Sequence, residues 1–204
     1  MKKFICLLIS FNLVLVAFAQ SKMTSSNPQV TKGIEIHDKA RSGNFNELQK
    51  ALTLLEPYTK TDSVACAYYG SCLTLCAAEC VEDNPIKALE YLDKGGKYLD
   101  EAVKLDSKNP AIRLMRLENG IEVSRTSPVK RYSVVADDVD FLMKTDMTGW
   151  DAALKAEVYL FCGYFQADAG DLDGALDLFD CAIEADPDSA PGKSAQKMID
   201  KYSE

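Results

Sequence analysis

AEVYLFCGYFQADAGDLDGALDLFDCAIEADP, residues 156–187, is the stretch that decides the fold. Up to Ala169, the residues Tyr159, Cys162, Gly163, Gln166 and Ala167 fall on one side of a helix. Beyond Gly170, the set Leu172, Ala175, Leu176, Phe179, Ala182 and Ile183 does the same, with the three- and four-residue spacing that turns one helical face toward a core. Gly170 can take the left-handed backbone conformation that closes a helix, and Asp171 is a candidate cap for the next one. Two helices joined by so short a link must lie back to back as an antiparallel hairpin.

The same punctuation recurs upstream. Asn27-Pro28, Asn84-Pro85 and Asn109-Pro110 each set a capping side chain before a proline, which lacks the N–H that would be unpaired in a first turn. Asp62 or Ser63 and the run Asp146 to Thr148 are further candidate caps, and Gly43 is a further helix stop. Alternating β-branched runs are scarce and no Asn-Gly or Asp-Gly turn occurs, so strands are not expected. The spacing predicts an all-α chain with helices near 28–42, 45–58, 63–81, 85–106, 109–124, 130–145, 149–169, 171–185 and 189–202.

Residues 156–187 resemble one tetratricopeptide (TPR) repeat, a helix-turn-helix unit of about 34 residues with aromatic, glycine and alanine positions at set spacings. Tyr159 stands at the first aromatic place, Gly163 where the first helix must be thin, Gly170 at the turn and Ala175 where the second helix crosses, followed by Phe179, Ala182 and Pro187. Cys162 replaces a leucine and Gln166 a second aromatic. Residues 29–62 keep Gly43-Asn44-Phe45 at the turn and Leu48, Leu52 and Leu55 after it, with Lys32 and Ile36 at the aromatic and glycine places. Residues 63–109 offer Gly70 as the thin point. Their second helix is long, with Ala88, Leu92, Gly95, Leu99 and Ala102 in one stripe, so Gly95 reads as a site of close helix crossing, with a kink as the alternative. Residues 110–146 match least, with Arg113 and Leu117 at the aromatic and glycine places. The resemblance implies a TPR-like α-solenoid of about four hairpins over residues 28–204. A final helix would cap it, with Ala195, Met198, Ile199 and Tyr202 turned inward.

The chain opens MKKFICLLISFNLVLVAFAQ: two lysines, an apolar run, then Ala17-Phe18-Ala19. That is the layout of a secretory signal peptide, so residues 1–19 are expected to be removed, leaving a flexible segment over 20–27 before the first helix. The apolar run is shorter than the roughly 20 residues that span a bilayer, so no stable membrane insertion is expected after cleavage. An exported protein, periplasmic or secreted, follows. Loss of Lys2 and Lys3 takes the formal charge from −8 to −10. Such a balance repels phosphate backbones, and nucleic acid is not an expected partner.

CAYYGSCLTLCAAEC, residues 66–80, concentrates four cysteines on about a third of one helix circumference. Cys72 and Cys80 lie about 12 Å apart along the axis, so a single ion cannot gather all four sulfurs at about 2.3 Å. The favoured reading is small packing residues on the face that meets other helices, beside Ala65, Ala67, Gly70, Ser71, Ala77 and Ala78. Interhelix disulfides among the six cysteines of the mature chain, or metal or redox chemistry, are the alternatives.

His37 is the only histidine, and its neighbours Glu35 and Asp38 point to a solvated surface imidazole. No phosphate-binding glycine loop or Cys-x-x-Cys motif is present, and an enzyme, a metal or a cofactor is not expected. Arg113 and Arg116 share a face. They read first as partners of Asp137, Asp138 or Asp140 in the following helix, and alternatively as contacts for an acidic segment of a partner. The resemblance places a partner-binding groove on the first helix of each hairpin, and there implies Tyr68, Ser71, Leu75, Leu114, Glu118, Ile121, Glu157, Leu160, Tyr164 and Asp168. The expected function is therefore a non-catalytic scaffold or adaptor holding a protein or peptide. A small-ligand or substrate-handling accessory protein of an envelope transport system is the second expectation.

Overall fold

A computed structural model describes residues 23–43 and 45–203; the expected signal peptide over 1–19 and the expected start at Gln20 lie outside them. The described residues form nine α-helices and no strand. These are α1 (Pro28–Arg41), α2 (Leu48–Leu55, continued by a 3-10 turn Glu56–Tyr58), α3 (Ser63–Cys80), α4 (Pro85–Leu105), α5 (Pro110–Thr126), α6 (Tyr132–Met143), α7 (Ala152–Ala169), α8 (Leu172–Ala185) and α9 (Ala190–Ser203). None of them is long and apolar enough to cross a membrane. The all-α expectation holds.

The local signals act as their chemistry dictates. Asn27, Asn84 and Asn109 each accept hydrogen bonds from first-turn backbone N–H groups ahead of a proline, as do Asp62 and Asp171 without one. Gly43 and Gly170 take positive φ of 94° and 89° and end α1 and α7. Two starts come three residues later than expected: α2 opens at Leu48 and not near 45, and α7 opens after a turn. Asp146 accepts from Thr148 N–H inside a turn, Gly149 reverses the chain at φ 78°, and α7 begins only at Ala152 under the cap of Asp151. The described part of segment 20–27 is anchored: Ser25 donates to Asp62 at 2.9 Å, and Met23 packs on the core around α1–α5.

Each odd-numbered helix from α1 to α7 folds back on the even one that follows, and successive odd helices touch: α1 with α3, α3 with α5, α5 with α7, α7 with α9. Glycine marks every crossing within a pair. A Cβ added at Gly33 would sit 2.7 Å from Leu55 Cγ, and one at Gly163 would sit 2.6 Å from Phe179 Cε1. At Gly70 the nearest atom would be Gly95 O at 2.8 Å, and at Gly120 a methyl carbon of Val135. Gly95 lies inside α4 at this crossing, as its place in the apolar stripe predicts.

Gly33 and Gly120 correct the register of the first and third hairpins. The thin points are not Ile36 and Leu117, and in α5 the true one lies three residues later, a rotation of about 60°. At the carboxyl end, α9 packs on both α7 and α8, and Tyr202 stacks on Phe179 at 6.4 Å between ring centroids.

The cysteines behave as packing residues. All six described thiols are free; Cys66, Cys72, Cys76 and Cys162 are buried. Burial pushes the Cys66 thiol up to about 11 and the Cys76 and Cys162 thiols up to about 12, so none is a ready nucleophile near neutral pH.

Candidate functional site

The odd helices bring polar side chains from four separate stretches of sequence together. In α1 the spacing Val30, Ile34, His37, Arg41 is that of a helix face turned inward. His37 is accordingly fully buried, not the solvated imidazole expected from Glu35 and Asp38. Its Nε2 lies 2.8 Å from Ser71 Oγ in α3, its Nδ1 lies 3.1 Å from Asp38 Oδ1, and its ring meets Tyr68 edge-on. Burial lowers its pKa, so the ring is neutral at pH 7 and links α1 to α3 as a hydrogen-bonding spacer. Ser71 is mid-helix, with its carbonyl engaged by the Thr74 hydroxyl at 2.8 Å.

From α3 the polar line continues to α5. The Asn119 amide donates to Thr74 Oγ1 at 2.7 Å. Arg41, at the end of α1, reaches Glu118 of α5 at 3.5 Å, so side chains two hairpins apart meet. Glu118 in turn faces Glu157 of α7, and both are buried. Burial and the Glu118 charge hold Glu157 well above the usual carboxylate range; burial likewise raises Glu118 and Glu122.

At the far end, Arg125 of α5 grips Asp168 of α7 with bonds of 2.9 and 3.0 Å and lies 4.2 Å above the Tyr164 ring. The Tyr132 hydroxyl also donates to Asp168. Arg125 and Asp168 both lie five residues beyond the thin-point glycine of their helix.

The residues singled out from the sequence divide into three groups. Ser71, Glu118, Glu157, Tyr164 and Asp168 belong to this polar line. Tyr68, Leu75, Leu114, Ile121 and Leu160 are core residues at 9% exposure or less, positioned to support the line and not to touch a visitor. Arg113 and Arg116 face the other way, toward the even helices: Arg116 holds Asp138 of α6 by bonds of 2.7 and 2.8 Å and also contacts Asp100 of α4. Arg113 donates to Asp138 at 2.9 Å and covers the Phe141 ring. Their pairing with α6 was the favoured expectation, and it removes them from the expected groove, because an arginine this covered needs its carboxylate.

The sequence reading missed His37, Arg41, Asn119, Glu122 and Arg125. A register anchored on Gly33 and Gly120 finds most of them. Comparison of the chain with protein-family models, with curated proteins and with solved structures gave no match.

Proposed function

We propose that this chain is an exported, non-catalytic adaptor of the TPR type that holds a protein or peptide along the face shared by α1, α3, α5 and α7. The observation that carries this reading is the meeting of Arg41, Glu118 and Glu157, from three different odd helices, on one side of the stack. Helices in a line can bring their inner side chains that close only where the row of odd helices is drawn together, which is how a repeat stack forms a trough. The four crossing glycines, the TPR-like spacing of residues 156–187 and the terminal position of α9 support the same architecture. The layout of residues 1–19 supports export.

The experiment is capture from an envelope fraction by the purified chain, run beside two variants. A partner retained by the parent and by the outer-face variant Asp177→Lys, and lost with Tyr164→Ala, supports the reading. Nothing retained at high bait load, together with a copurified small molecule, overturns it in favour of a ligand-handling accessory protein.

A further inference from the structure

Glu118 and Glu157 are short of donors. Glu157 is fully buried, and apart from the Glu118 carboxyl it meets, neither of its oxygens has a hydrogen-bond donor; Glu118 Oε1 is likewise without another donor. The one guanidinium at hand, Arg41, stands 3.5 Å from the other Glu118 oxygen, too far for a strong hydrogen bond. Glu122 adds a third carboxyl one turn beyond Glu118, while Arg125 is engaged by Asp168. Carboxyl oxygens taken out of water without donors are strongly unfavourable, so such a pair persists only when a proton or an incoming cation completes it. In the resting chain burial and the neighbouring Glu118 charge favour the protonated form of Glu157.

Among the described residues no three His, Cys, Asp or Glu side chains gather as metal ligands do. Two facing carboxyls suit an organic cation that donates several hydrogen bonds at once. Arg41 itself is a quarter exposed and touches the pair only through Glu118, so it is free to swing outward.

We propose that the Glu118–Glu157 pair is a subsite for a basic side chain, arginine or lysine, presented by the partner along the odd-helix face, with Arg41 as the internal stand-in that covers it otherwise; this rests on the adaptor reading above. When the cation enters, its N–H groups take the vacant oxygens, the proton shared by the pair passes to water, and Arg41 turns out to solvent.

The test is calorimetric titration of the chain with the tripeptide amide acetyl-Ala-Arg-Ala, with its uncharged citrulline counterpart, and with agmatine as a free guanidinium compound. The expected result is saturable binding of the arginine peptide at least about tenfold tighter than the citrulline peptide, weakened about tenfold by Glu157→Gln and strengthened several-fold by Arg41→Met, which removes the internal competitor. Glu157→Gln deletes a buried acid without stranding a cation, so the variant folds, as its circular dichroism will show. No saturation by either cation at millimolar concentration, or equal affinity in Glu157→Gln and parent, overturns the subsite. Agmatine binding as tightly as the peptide overturns the assignment to a partner's side chain. A partner still captured from the envelope fraction while these titrations fail sinks the subsite and leaves the adaptor; cation binding without any captured protein does the reverse.

Discussion

Replacing Gly70 by alanine tests the helix packing where it is tightest. On an isolated helix the change would help, by about 1 kcal/mol, because alanine has the higher helix propensity. Here the new methyl would lie 2.8 Å from Gly95 O, 3.0 Å from Leu99 N and 3.1 Å from Leu99 Cγ. Two of those three atoms are backbone, so no rotamer change relieves them and α3 and α4 must move apart. Separation loosens the contacts of Cys66, Thr74 and Leu99, all buried at this interface. Overpacking of this kind costs about 1–3 kcal/mol, and contact with backbone places it at or beyond the upper end. After the propensity gain the net loss is about 2 kcal/mol, equivalent to about 4–8 °C in Tm for a chain of this size. Urea unfolding followed by circular dichroism at 222 nm, with Tm from a thermal scan, measures it. Gly149→Ala is the control: nothing lies within 4 Å of its new methyl, and only backbone strain at φ 78° of about 1–2 kcal/mol is incurred. A Gly70→Ala protein as stable as the parent would refute the close crossing of α3 and α4.

Three further outcomes are expected. Asp138→Ala strands Arg116 and Arg113 between α4, α5 and α6 and lowers unfolding free energy by about 3–5 kcal/mol, read from the urea midpoint. Glu157→Gln changes the pH dependence of stability. The parent's folded state keeps a proton that the unfolded chain releases above the ordinary glutamate value of 4.5, so the parent loses stability as pH rises from there toward the raised folded value. The variant lacks that slope and is more stable than the parent at pH 8, with the difference closing near pH 4 in paired denaturation curves. Thiol titration of the unfolded, unreduced protein freed of residues 1–19 returns six thiols; two or fewer would reject the packing account of the cysteines.

Local chemistry made the helices legible. An asparagine before a proline or a glycine after an apolar stripe decides a helix end within a few residues, and those ends stand where the sequence puts them. The fourth hairpin was also legible in register, because Tyr159, Gly163, Phe179 and Ala182 leave one consistent face. The first and third hairpins were not. Ile36 and Leu117 are apolar and suit a core as well as their glycine neighbours do, so periodicity cannot tell which residue lies at the crossing.

The site was harder still, for the same reason. An error of three residues in α5 turns Arg125 away from the proposed binding face and Leu114 toward it. His37 was misread from its polar neighbours in sequence, although its helical neighbours Val30 and Ile34 are buried with it. Glu157 breaks the rule that carboxylates face water, and no spacing announces that exception.

Site-specific photocrosslinking tests the central claim most directly. A benzoylphenylalanine placed at Tyr164, at Asp168 or at Arg125 samples the face of the odd helices, and one at Asp177 or Lys97 samples the even helices. Exposed to an envelope fraction and light, the first three positions are expected to give one common protein adduct and the last two none. Adducts formed equally from both faces, or from Asp177 and Lys97 alone, would contradict a partner held along α1, α3, α5 and α7.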